Sequence, residues 1–261
     1  MARTKYVSIH SFRGGTGKSN LTANLAAQVA LAGHRTAVLD TDIQSPGIHV
    51  PFGLDEKSMG RTLNMYLRSE CEIQDVALCI GEHTGQAAGR RQLANAPLWL
   101  APSSINSLEI SRILRDGYDM TRLNEGMKTL SQKLNLEYLF IDTHPGLNEE
   151  TLLSLAISDL VLLILRPDEQ DLQGTAVTID VARGLDVPSM LLVVNKVLRR
   201  YDFEQIRRDV EAQYGEPVAG LLPLDEDLMD LKSADLFSLR YPDHEWSVVV
   251  RRIARMVMGA A

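Results

Sequence analysis

Residues 12–19 read Phe-Arg-Gly-Gly-Thr-Gly-Lys-Ser between a strand-like run and a helix-like run, and no other feature of the chain limits its fold so strongly. Gly14, Gly15 and Gly17 let the backbone turn so tightly that successive N–H groups can face one anion. Lys18 adds a point charge. Ser19 opens the helix, where a hydroxyl can ligate magnesium while the positive end of the helix dipole faces the same anion. Strand, glycines, Gly-Lys-Ser and helix in this order form a phosphate cradle, so residues 14–20, with Thr16 and Asn20 beside the lysine, are expected to touch a nucleotide.

Such a cradle sits at the end of a parallel strand, and the rest of the chain supplies the sheet. Apolar runs at 6–11, 36–40, 98–101, 138–142, 160–166, 190–195 and 218–222 read as strands. Amphipathic stretches at 18–32, 108–115, 120–134, 149–156, 172–183, 203–214 and 246–258 read as the helices between them. This alternation predicts an α/β fold with a doubly wound, mainly parallel sheet flanked by helices, as one domain over residues 1–261. Ligands of such sheets bind at the carboxyl ends of the strands. Residues 81–97 show little periodicity and are expected to form an exposed loop.

Charge and cysteine usage narrow the function classes. With 27 basic and 34 acidic side chains the formal charge is -7, which argues against a whole-molecule grip on nucleic acid. Cys71 and Cys79 match no zinc or redox spacing and are read as reduced thiols. No apolar run approaches the roughly 18 residues of a membrane-spanning helix, and the first residues lack a long apolar signal segment, so a cytoplasmic location is expected.

Acidic residues stand where a metal-bound nucleotide needs them. The second strand runs into Leu-Asp-Thr-Asp, setting Asp40 and Asp42 at a carboxyl edge, and the fourth ends at Asp142, before Thr-His-Pro-Gly. Phosphoryl transfer needs positioning and charge neutralisation more than covalent help, and one oriented carboxylate can align the water. His144, between strand and turn, is read as structural. Asn195 ends another strand with an amide that offers donor and acceptor to a purine edge.

The stretch SFRGGTGKSNLTANLA (residues 11–26) resembles the deviant Walker A loop of the ParA and MinD superfamily of P-loop ATPases, which normally reads KGGxGK[ST]. Arg13 stands at the signature lysine, Phe12 at the first glycine of the plain motif. The resemblance implies ATP and Mg2+ as cofactors and a homodimer formed with ATP, in which Arg13 reaches the partner's phosphates. It implies catalytic roles for Lys18, Arg13 and Asp42, the last also near the metal with Ser19 and Asp142. Gly146, in a DxxPG match, is expected to sense the γ-phosphate, and Asn195, Pro223 and Leu224 to enclose adenine. Val197 and Leu198 follow Asn195 and Lys196, so the guanine-selective NKxD motif is absent and ATP is favoured.

The family implies slow hydrolysis stimulated by a cargo-adaptor protein, with a cargo of DNA, a division complex or an organelle-like body. Arg199, Arg200, Arg207 and Arg208 offer a DNA patch, although Glu204, Asp209 and Glu211 lie among them. The C-terminal stretch WSVVVRRIARMVM has basic and apolar faces, and is expected to pack on the domain rather than bind membrane. A slow or non-hydrolysing scaffold is the alternative. A P-loop metal or redox carrier is disfavoured by the cysteine positions.

Overall fold

Alternating apolar runs and amphipathic stretches fold into one mixed sheet with helices on both faces; the computed structural model describes residues 3–83, 85 and 87–259. The first half contains β1 (Lys5–His10), α1 (Lys18–Leu31), β2 (Thr36–Asp40), α2 (Leu63–Leu67), β3 (Leu78–Cys79), β4 (Leu98–Ala101), α3 (Ser107–Asp116) and α4 (Met120–Lys133). The second half contains β5 (Tyr138–Asp142), α5 (Glu149–Ala156), β6 (Leu160–Leu165), α6 (Glu169–Gly184), β7 (Met190–Val197), α7 (Phe203–Tyr214), β8 (Val218–Pro223), α8 (Glu226–Asp230), α9 (Phe237–Arg240) and α10 (Glu245–Met258).

The strand order is β3-β4-β2-β5-β1-β6-β7-β8, parallel throughout except for the β3–β4 edge pair. Because both faces are covered, the central strands are apolar without interruption: all six residues of β6, Leu-Val-Leu-Leu-Ile-Leu, are buried. Period-two alternation still sorts them. Val7, Val38, Phe140 and Leu162 pack against Leu21, Leu25 and Val29 of α1 and Val250, Ile253 and Val257 of α10. Ala37, Leu39 and Ile141 face Leu123, Met127 and Leu130 of α4, and Val161 and Leu163 face Ile179 of α6 and Val210 of α7. Asp168 and Asp202 start α6 and α7 by accepting backbone N–H groups of the first turn.

The structure departs from the sequence reading at two places. Strand β3 has two residues, too few to show a period. The segment 81–97 is not a free exposed loop: Leu93 is fully buried, and the buried Asp235 carboxylate accepts the N–H groups of Gly89 and Arg90 at 2.9 and 3.2 Å. Thr84 and Gln86 of that segment lie outside the described residues. The α10 helix packs on the domain as expected, with Trp246, Val250, Ile253 and Val257 turned inward and Met256 exposed. No helix among the described residues is long and apolar enough to cross a membrane.

Candidate nucleotide-binding site

Strands β2, β5 and β1 lie side by side, with Asp40 and Ile9 both in register with Asp142, so the segments leaving these three strands meet at one edge. Residues 11–17 wrap there with Gly15 at φ 75° and Gly17 at φ 94°, left-handed values that glycine adopts without strain. Gly17 caps α1. A Cβ on Gly17 would stand 2.5 Å from Asn195 Nδ2, so this glycine is required by close approach as well as by its turn.

A cavity of about 260 Å³ opens over the loop, lined by Gly14 to Asn20 together with Ser11, Asp42, Ser45 and Pro145. Beneath it, buried Lys18 Nζ lies 2.9 Å from Oδ1 of fully buried Asp142, and Thr22 donates to the same oxygen at 2.9 Å. Asp142 Oδ2, Asp40 Oδ2 and Thr16 Oγ1 are buried without a hydrogen-bond partner. Unsatisfied buried oxygens cost free energy until a donor or cation arrives, and an all-oxygen set from Ser19, Asp42 and Asp142 suits magnesium. The residues therefore fit a magnesium nucleotide, with Ser19 and Asp42 at the cavity wall and Asp142 below its floor.

Charge is crowded here. Burial, reinforced by Asp142 and Asp42, holds the Asp40 carboxyl well above the usual carboxylate range. His10, behind the loop, is pushed down to about 3 by burial and by Lys18 and His144. Asp42 Oδ1 accepts from Ser45 N and Ser45 Oγ, both at 3.1 Å, and lies 2.7 Å from His144 Nδ1. Sequence reasoning read His144 as structural. Only Thr143 and His144 separate β5 from the Pro-Gly turn, and only the fold brings His144 to Asp42.

A second cavity, about 320 Å³, shares Gly15, Gly17 and Asn20 with the first and runs on to Asn195, Pro223, Leu224, Leu228 and Trp246. Asn195, Pro223 and Leu224 are thus brought together at one end. Asn195 Nδ2 donates to Thr16 O at 2.7 Å, and its Oδ1 accepts Lys196 N at 2.9 Å. Lys196 holds a left-handed backbone, φ 59°, and donates to Gly15 O at 2.7 Å. The β7 end braces the phosphate loop as well as lining the adjoining cavity.

The chain matches the model of the CobQ/CobB/MinD/ParA nucleotide binding domain over residues 7–238. It belongs to that family. It is 25% identical over 258 residues to an uncharacterized ATP-binding protein of Methanocaldococcus jannaschii, covering 97% of this chain and 88% of the relative. It is 24% identical over 230 residues to a putative septum site-determining protein MinD of Nephroselmis olivacea, covering 86% and 76%. Its fold is similar to that of MinD from Pyrococcus horikoshii, solved with Mg-ADP, with a TM-score of 0.79 at 19% identity over 98% of this chain and 96% of that one.

The remaining residues expected from the MinD/ParA resemblance lie apart from both cavities. Gly146, φ 81°, donates its N–H to Ser11 O at 3.2 Å. Arg13 leaves the loop sideways: it hydrogen-bonds Gln170 and lies 3.8 Å from the carboxylates of Asp168 and Asp171 at the start of α6. Phe12 lays its ring on Gly174 of α6, which a Cβ would strike at 2.0 Å. The four arginines proposed as a DNA patch are largely engaged: Arg199 pairs with Asp225 and Glu245, Arg207 with Glu204 and Glu211, Arg208 donates to Gln205, and Arg200 lies over Tyr201. Asp225, Asp227 and His244 stand close enough to share a cation. However, His244 Nδ1 accepts Trp246 N, so the neutral ring carries its proton on Nε2 and keeps no lone pair for a metal.

Proposed function

We propose that this chain is an ATP-driven dimerisation switch: it binds MgATP, pairs with a second copy, hydrolyses ATP slowly and separates. The observation that carries the reading is the division of labour between the two cations of the loop. Lys18 is buried under the phosphate cavity, whereas Arg13, on the same loop, lines neither cavity and has a side chain 41% exposed. A loop cation turned away from its own cavity is available to a facing copy, and Arg13 keeps the charge of the family's lysine with a longer, forked head suited to phosphate oxygens.

In this reading residues 1–261 act as one ATPase domain. The N–H groups of residues 14–18 and the Ser19 hydroxyl hold the phosphates and magnesium, with Asp142 beneath. Bound MgATP supplies the transferable phosphoryl group and neutralises its charge. Asp42 aligns the attacking water, and Asn195, Pro223 and Leu224 enclose the adenine. The cycle positions or partitions an intracellular cargo, with a cargo-bound protein stimulating hydrolysis. The internal pairing of Arg199 and Arg207 favours a protein surface over DNA as the dimer's track.

Mass in solution tests the switch. A dimer is expected with ATP and absent with ADP, trapped by Asp42→Ala and lost with Arg13→Ala. A monomer in every state would remove the dimer reading and leave a P-loop nucleotide binder.

A further inference from the structure

We propose that His144 is a positioning residue for Asp42, fixing which carboxylate oxygen faces the phosphate cavity; this rests on the reading of Asp42 as the group that aligns the attacking water. Three donors converge on Asp42 Oδ1: Ser45 N and Ser45 Oγ at 3.1 Å, from the turn that follows, and His144 Nδ1 at 2.7 Å, from across the sheet edge. Oδ2 accepts no hydrogen bond from the described residues. A carboxylate free to flip would offer either oxygen. Saturating Oδ1 makes Oδ2 the one open to an incoming water.

The Ser45 contacts are local and move with Asp42, since both residues lie on the same short turn. The imidazole is the only one of the three donors anchored elsewhere, and its anchor is firm. The His144 carbonyl accepts Thr151 Oγ1 at 3.2 Å, and Thr151 N is itself held by the Asn148 side chain that caps α5. Pro145 follows, restricting the His144 backbone to extended conformations, and itself lines the phosphate cavity. Asp42 is tied at its other end as well, by Asp42 N to Asp40 Oδ1 at 3.0 Å and by Thr41 N to Asp142 O at 3.0 Å. His144 thus ties the Asp42 carboxylate to the β5 end, the segment that also holds Asp142 under Lys18.

Single-turnover hydrolysis with enzyme in excess over MgATP, together with ATP binding, separates positioning from bulk structure. His144→Ala is expected to slow hydrolysis about tenfold to a hundredfold, the range for misaligned reacting groups, while ATP affinity changes less than about twofold. His144→Asn places an amide N–H where Nδ1 stands and is expected to recover most of the rate. His144→Gln, whose amide reaches the Nε2 position, is not. Equal losses with Asn, Gln and Ala, or a loss confined to ATP affinity, would overturn the proposal.

Nitrogen NMR of the nucleotide-free protein in alkaline buffer gives a readout independent of turnover. The His144 proton is expected on Nδ1, and in Asp42→Ala it should return to the Nε2 form usual for free imidazole. An unchanged tautomer in Asp42→Ala would show that the contact does not orient the ring. Should Asp42→Ala hydrolyse ATP as fast as the native protein, the reading of Asp42 fails and this proposal fails with it. A slow Asp42→Ala beside a fast His144→Ala overturns the His144 role alone.

Discussion

Asn195 Nδ2 donates to the carbonyl of Thr16 at 2.7 Å, so a residue assigned from the sequence to the base also holds the phosphate loop from behind. One N–H and one lone pair of the amide are spent within the chain, and the loop they brace serves any nucleoside triphosphate. Asn195→Ala is therefore expected to weaken ATP and GTP together, each about tenfold, the equivalent of one net hydrogen bond. Titration of both nucleotides checks this. Loss of ATP affinity with GTP untouched would return Asn195 to base reading alone.

Phe12, which replaces the first glycine of the plain loop motif, is accommodated by the bare backbone of Gly174. Gly174→Ala puts a methyl 2.0 Å from the Phe12 ring and is expected to cost about 1–3 kcal/mol by overpacking. In a Phe12→Ala background the same change should be neutral or stabilising by up to about 1 kcal/mol, because alanine outranks glycine in a helix and the clash is gone. Urea unfolding of the four proteins measures this coupling. Additive costs would mean that Phe12 does not rest on Gly174.

The placement of the central elements was legible because each carries its own period. Strands 36–40, 98–101 and 138–142 and helices 149–156 and 203–214 lie where the sequence puts them. The phosphate loop and the acidic strand ends were equally legible, since glycine spacing and a terminal aspartate are local signals. Strand β3 and helices α2, α8 and α9, of two to five residues, are too short for any period to show. Segment 81–97 is held by Asp235, about 145 positions away, which no window along the chain can reveal. The same holds for Phe12 on Gly174, for Arg13 against Asp168 and for His144 on Asp42: each joins residues the fold alone brings together.

Arg13 lies 3.8 Å from both Asp168 and Asp171 of its own chain, contacts that a cross-dimer role requires it to leave. Asp168 also caps α6 through Asp171 N at 3.1 Å, and asparagine preserves that cap. Asp168→Asn is expected to lower the ATP concentration for half-maximal dimer by no more than about fivefold, since exposed ion pairs contribute ~0.2–1 kcal/mol. Light scattering across an ATP titration reads the shift. A higher ATP requirement would mean that Asp168 supports Arg13 in the dimer instead of restraining it.

His10 makes the stability of the nucleotide-free protein depend on acid. Its Nδ1 lies 2.8 Å from Thr143 Oγ1, whose own hydrogen is given to Ile9 O at 3.0 Å, so the ring donates through Nδ1 and buries Nε2 without a partner. Burial, with Lys18 and His144 nearby, takes the imidazole from 6.5 down to about 3. In the unfolded chain the ring gains its proton as pH falls through 6.5, whereas the folded ring stays neutral until about pH 3. The unfolded state binds more protons across that window, so stability falls with falling pH, by at most about 1.4 kcal/mol per pH unit. Asp40 opposes this with the reverse sign: its raised folded value makes the folded state hold a proton longer, and stability is lost as pH rises through that value. His10→Asn keeps a donor toward Thr143 and removes the titrating nitrogen. Urea midpoints measured from neutral pH into mild acid are expected to fall less steeply for His10→Asn than for the native protein, and parallel slopes would show that other groups set the acid sensitivity.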